Sequence, residues 1–110
     1  MTTITISVAE EFSPCPAGRI QEDGPFPGEI FREKLLLPAM KANNKVIVDM
    51  VGTELAGSSF LEEAFGGLIR AGFTEKSLKA KLFLNSPRQS DPIRIWRFIH
   101  EEAIRSNRLQ

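Results

Sequence analysis

Side chains that build disulfides, zinc sites and catalytic dyads are almost missing from this sequence. It has one cysteine, one histidine and no tyrosine, and its formal charges cancel. A single cysteine, Cys15, excludes an internal disulfide and fits a reducing compartment. One cysteine and one histidine do not provide the ligand spacing of a zinc site, so we expect no metal and no cofactor. Without net charge, no global field favours nucleic acid or an anionic membrane as partner.

Long hydrophobic runs and nucleotide motifs are also missing. No apolar run is long enough to span a bilayer, and the first residues lack the basic and apolar segments of a signal peptide. We therefore expect a cytoplasmic protein without membrane insertion. There is no Gly-x-Gly-x-x-Gly or Walker-type loop. His100 stands far along the sequence from Ser58 and Ser59, and Cys15 is best interpreted as an incidental loop thiol. The chain is therefore not expected to be an enzyme.

The sequence alternates between strand and helix patterns, which predicts one α/β domain over residues 1–110. Ile4, Ile6 and Val8 alternate with polar residues, as in a strand with one buried face. The apolar run at 45–51 predicts a strand buried on both faces, and 81–84 predicts another. Residues 19–21 are interpreted as a short additional strand. These patterns indicate a small mixed or mostly parallel sheet.

Three main helices are expected to pack on that sheet. The first runs over 28–37, where Pro38 predicts a kink or an early end. The second runs over 59–71, with Gly72 as its C-terminal stop. The third follows Asp91, which is expected to cap it, with Pro92 at its first position. Two glycines at 66–67 cost about 1 kcal/mol each in a helix, which predicts close approach to another element.

The most informative feature is the pair Ser58 and Ser59, placed between the buried strand and the second helix. Ser59 and Glu62 fit a capping box, in which the serine only starts the helix. The same position also suits an exposed hydroxyl that a kinase modifies or a ligand contacts. The helix dipole favours an added phosphate, whereas Glu62 and Glu63 in the first turn would repel it. Both interpretations remain open on the sequence.

A cluster of carboxylates offers a weaker alternative at the same edge. Asp49, Glu54, Glu62 and Glu63 are all expected near the carboxyl end of the sheet, where α/β proteins bind ligands. Four carboxylates can hold a divalent cation, but their spacing matches no ion-binding loop. We therefore interpret them as capping and solvated residues.

The segments at 28–33 (Gly-Glu-Ile-Phe-Arg-Glu) and 58–68 (Ser-Ser-Phe-Leu-Glu-Glu-Ala-Phe-Gly-Gly-Leu) resemble bacterial STAS-like domains of unknown function. The order of elements is similar to the wider STAS superfamily, which includes anti-sigma-factor antagonists. The resemblance covers about residues 18–85. In the antagonists, the second serine of Asp-Ser-Ser-Gly is phosphorylated by a GHKL-type kinase. Here Gly57 replaces the aspartate and Phe60 the glycine.

The resemblance implies a regulatory, protein-binding module whose partner is a GHKL-type ATPase or kinase. Ser59, and next to it Ser58, would be the phosphoacceptor. The expected partner-binding residues are Gly57, Ser58, Ser59, Phe60, Glu62 and Glu63, with Phe60 as an apolar anchor if it is exposed. The alternative is a sensor that binds a nucleotide or another anion at the same helix N-terminus.

Overall fold

A computed structural model describes residues 2–108, without the side chain of Arg108. A three-stranded sheet is formed by β1 (Thr3–Ser7), β2 (Lys45–Asp49) and β3 (Leu82–Asn85), in that spatial order. Both pairings are parallel. The predicted α/β class and the parallel sheet are confirmed. The predicted strand at 45–51 is two residues too long, because the chain turns after Asp49.

Three long helices and two short ones connect or follow the strands. Helix α1 (Val8–Glu11) follows β1, and α4 (Glu75–Lys81) precedes β3. Helix α2 consists of the consecutive segments Gly28–Phe31, Arg32–Leu36 and Leu37–Ala42. Helix α3 consists of Ser58–Leu61, Glu62–Gly66 and Gly67–Arg70. Helix α5 (Ser90–Arg108) ends the described chain. The three predicted main helices are α2, α3 and α5.

The middle segments of α2 and α3 are π-helical, and they contact each other. In α2 the π-helical segment ends just before Pro38, and the helix continues to Ala42. The predicted early end is therefore wrong. Proline removes one backbone donor and crowds the preceding turn, and a wider turn before it accommodates that crowding.

The hydrophobic core lies on one side of the sheet. Ile6, Val46, Val48 and Leu82 are buried there under the helices. Along β2, Lys45 is exposed and Ile47 is half-buried, so only one face of this strand is fully covered. The prediction that β2 is buried on both faces is therefore wrong. An apolar run shows that a strand is central in its sheet, but it does not show how many helical layers cover it.

Two local predictions also needed correction. Residues 19–21 form no strand, because the Asp23 carboxylate accepts hydrogen bonds from the amides of Arg19 and Ile20 at 2.9 and 3.1 Å and closes a turn. A short 3₁₀ helix (Gln21–Asp23) follows. Helix α4 was not predicted. Its start carries a capping box in which Thr74 and Ser77 exchange hydrogen bonds. Ser77 stands where the usual sequence signature has glutamate or glutamine, so the pattern did not reveal the helix.

Candidate functional site: the serine edge

The site is the serine edge, defined as residues 51–59: the loop after β2 and the first two residues of α3. Ser58 and Ser59 are exposed, as predicted from their position at the rim of the sheet. Gly57 is the N-cap residue of α3, and no side chain caps the helix there. The capping-box interpretation of Ser59 and Glu62 is therefore wrong. Both hydroxyls face solvent beside the backbone amides that begin the helix.

Phe60, which was expected to be an apolar anchor if exposed, belongs to the core instead. Its side chain is 1% exposed. The ring lies 5.8 Å from the ring of Phe31 and 6.2 Å from that of Phe12, centroid to centroid. The backbone oxygen of Phe60 also lies against Gly28 of α2. Since an interface anchor must be accessible to a partner, Phe60 contributes to folding and not to contact.

Glu62 and Glu63 are turned away from the helix start and toward three arginines. One lies in the segment before α2, one lies in α2, and one lies at the end of α3 itself. The Glu62 carboxylate binds Arg19 and, at 2.8 Å, Arg70. The Glu63 carboxylate binds Arg32 at 2.8 Å, and Arg32 also donates to the Glu63 carbonyl oxygen. Arg32 itself is buried. The sequence did not predict this cluster, because its members come from distant segments.

The cluster continues into α5 through Arg70, which lies 3.3 Å from the nearly buried carboxylate of Glu102. Partial burial acts to raise the pKa of Glu62, but hydrogen bonds from Arg70 and Arg19 outweigh it, and the pKa lies below its usual value. The hydrogen bond from Arg105 likewise lowers the pKa of Glu102. These carboxylates are therefore ionised at neutral pH and are structural members of the packed helices.

Two arginines hold the loop of the serine edge in place. Arg88 donates to the Thr53 carbonyl oxygen at 2.8 Å and to its hydroxyl at 2.9 Å. Arg94 donates to the Ala56 carbonyl oxygen at 2.9 Å. Both arginines also bind the fully buried carboxylate of Asp91. The loop thus has a fixed backbone although most of its side chains face solvent.

Asp91 was expected to cap α5, but the helix begins one residue earlier, at Ser90. Its carboxylate instead accepts hydrogen bonds from Arg88, Arg94 and the Ser86 hydroxyl, the last at 2.7 Å. The predicted cap is therefore a buried anchor for the arginines that organise the serine edge.

Exposed apolar residues occur in the loop before the serines and in the first turn of α5. Val51 and Leu55 in the loop are 53% and 63% exposed, and Ile93 in the first turn of α5 is 68% exposed. Arg94, the residue after Ile93, binds the backbone of Ala56, which brings the start of α5 next to the loop. These three residues were not among those predicted from the sequence. The sequence did contain one indication of them, since Leu55 is an apolar residue in a polar turn after the strand.

The other residues considered from the sequence do not converge on a reaction centre. Among the described residues, no three histidine, cysteine, aspartate or glutamate side chains are grouped as metal ligands. His100 is exposed, and its Nδ1 atom lies 3.0 Å from the Glu75 carboxylate. Cys15 is exposed, and desolvation together with the nearby Glu54 carboxylate raises its thiol pKa, which disfavours the reactive thiolate.

A groove of about 410 Å³ lies at the opposite end of α3 from the serines. It is lined by Ile69, Gly72, Phe73, Thr74, Glu75, Ala103, Ser106 and Asn107. It is therefore separate from the serine edge. Within residues 2–108, no helix is both long and apolar enough to cross a membrane.

A protein-family profile described as STAS-like domain of unknown function (DUF4325) matches residues 27–85. The chain belongs to this family of STAS-like α/β domains. The match includes α2, β2, the whole serine edge, α3 and β3. It confirms the resemblance seen in the sequence. No curated protein and no solved structure gives a significant match to the chain.

Proposed function

We propose that this protein is a non-enzymatic regulatory module that binds a protein partner through the serine edge. The observation that carries this proposal is the exposure of Ser58 and Ser59 at the start of α3, together with that of Val51 and Leu55 in the loop before them and of Ile93 in α5. Apolar side chains within a polar surface are the usual centre of a protein interface. Arg88 and Arg94 already fix the loop backbone. Binding of a partner would therefore cost little conformational entropy in the loop.

The proposed partner is a GHKL-type ATPase or kinase, as the likeness to anti-sigma-factor antagonists implies. Such a partner would contact Gly57, Ser58 and Ser59, with Leu55 taking the role of apolar anchor that Phe60 cannot have. Glu62 and Glu63, half-buried and paired with arginines, would lie behind the contact and not within it.

Ser59 is the proposed phosphoacceptor, with Ser58 as the second candidate. A phosphate there would be stabilised by the amides and the positive dipole end of α3. The repulsion expected from Glu62 and Glu63 is reduced, since Arg19, Arg32 and Arg70 neutralise their charges. Both serine hydroxyls face solvent, so a kinase can reach them.

Two measurements with a GHKL-type ATPase encoded beside the gene test the proposal. Co-purification should give a complex that Leu55→Glu weakens, whereas Glu101→Lys on the exposed side of α5 should leave it unchanged. Incubation with ATP should add the mass of one phosphate to the intact chain, and Ser59→Ala should abolish that addition. An unchanged mass would remove phosphorylation from the proposal, and the absence of a complex would remove the partner. A thermal shift with ATP alone would instead favour a nucleotide sensor.

A further inference from the structure

Among the residues that the structure describes, no helix covers the second face of the sheet, and the centre of this face is apolar. The register places Thr5, Ile47 and Phe83 side by side across the three strands. Thr5 is exposed, Phe83 is 42% exposed and Ile47 is half-buried, whereas Val46 and Val48, which point the other way, are buried. Sheets in small α/β domains are normally covered on both faces, so this face is available for a further layer.

Opposite charges stand at the two ends of this face. Lys45 and Asp49 flank Ile47 at a spacing of two residues, so the three side chains share one face of β2. The Lys45 ammonium lies 4.5 Å from the centre of the Phe83 ring. At the other end, Asp49 accepts a hydrogen bond from Asn85 at 3.2 Å. At about 3.3 Å per residue, the two charges are roughly 13 Å apart along the strand.

We propose that a second copy of this chain covers this face, forming a two-fold dimer in which the two sheets pack together. A two-fold axis that runs along the row Thr5, Ile47, Phe83 reverses the strand direction of the second copy. Ile47 then faces Ile47 and Phe83 faces Phe83, while each Lys45 faces Asp49 of the other copy. The face is therefore complementary to itself, as an isologous interface requires.

The charges also select this arrangement over its main competitor. A two-fold axis parallel to the strands would place Lys45 over Lys45 and Asp49 over Asp49, and like charges held together in an interface are unfavourable. Packed sheets lie about 10 Å apart, a distance that a lysine side chain can reach across to a carboxylate. The dimer buries Phe83 and Ile47 at its centre and leaves the ion pairs at its rim.

Sedimentation equilibrium of the whole chain tests this proposal, with circular dichroism to confirm that each variant is folded. The natural chain should dimerise. Lys45→Glu alone and Asp49→Lys alone should each weaken dimerisation about tenfold or more, because like charges then face each other across the axis. Mixing these two variants should restore a dimer, since an all-negative face then meets an all-positive one. Ile93→Glu, on the serine edge, is the matched control and should leave the dimer intact.

Three results would overturn the proposal. The natural chain could remain a monomer up to its solubility limit, which would exclude a second copy as the occupant of this face. A dimer that neither charge reversal nor Phe83→Lys weakens would be formed by another surface. Folded single variants that weaken the dimer but fail to associate when mixed would exclude the antiparallel arrangement. Each result is independent of the serine edge, so the proposed partner can still be tested.

Discussion

Gly67 of α3 lies directly against the guanidinium group of Arg32 in α2. A Cβ atom on Gly67 would overlap the Arg32 Nη1 atom, closer than real side chains approach. The close approach predicted from the two central glycines of α3 is therefore confirmed. The absence of a side chain at this position makes room for the buried arginine that binds Glu63.

Gly67→Ala is expected to lower the free energy of unfolding by about 1–3 kcal/mol, because the added methyl group overpacks the contact with Arg32. On helix propensity alone, the same change would stabilise the protein by about 1 kcal/mol. Urea unfolding of Gly67→Ala, with and without Arg32→Ala, decides between overpacking and helix propensity. With Arg32→Ala in place, Gly67→Ala should lose its cost. If it remains equally costly there, the overpacking explanation is wrong.

Acid is expected to destabilise the protein through Glu62 and Glu102. Their pKa values are lower in the folded chain than the usual 4.5, so the unfolded chain binds more protons as the pH falls. Their contribution to stability is fully present above pH 4.5 and is lost as the pH falls through the folded-state pKa. As the pH is lowered through this range, the urea midpoint of Glu62→Gln should fall less steeply than that of the natural chain. Glu101→Gln, an exposed carboxylate, should leave the slope unchanged.

Arg88→Ala is expected to lower the free energy of unfolding by about 1.5–3 kcal/mol, the usual size of a hydrogen bond to a charged group. The change removes one partner of the buried Asp91 and two bonds to Thr53. Amide hydrogen exchange should also become faster in the loop of the serine edge. Arg97→Ala, an exposed residue of α5, is the control and should alter neither measurement. Unchanged exchange in Arg88→Ala would mean that the loop is held by other contacts.

Phe60 and Leu55 are expected to respond in opposite ways to alanine. Phe60→Ala should cost about 3–5 kcal/mol in unfolding free energy, because it leaves a cavity among buried rings. Leu55→Ala should change stability by less than about 0.5 kcal/mol and still weaken partner binding. Thermal unfolding gives the first comparison and titration with the partner the second. A stable Phe60→Ala variant would contradict the core assignment.

The sequence predicted what depends on local pattern. The alternation around Ile6, the apolar run before Asp49 and the stop at Gly72 located the strands and the end of α3. The exposure of Ser58 and Ser59 followed from their place after a strand at the rim of the sheet. These features depend on neighbours within a few residues, so periodicity and turn chemistry contain the information.

The remaining features depend on residues that only folding brings together. Glu62 looked like half of a capping box, but Arg19 and Arg70 compete for its carboxylate, and neither is close enough in sequence to be anticipated. Asp91 looked like a helix cap because it precedes Pro92, but its carboxylate binds Arg88 and Arg94 instead. The apolar Ile47 gave no sign that its face of the sheet lacks a helical layer. Long-range ion pairs and the number of layers are tertiary properties.

The central position of β2 has a consequence for any attempt to reduce this protein to its family segment. Residues 27–85 omit β1, which pairs with β2 from Thr3↔Lys45 to Ser7↔Asp49, and they omit α5. A fragment cut to those limits would turn the middle strand into an edge whose unpaired N–H and C=O groups are a template for aggregation. The stretch that identifies the family therefore lacks one of the three strands and the longest helix of the fold.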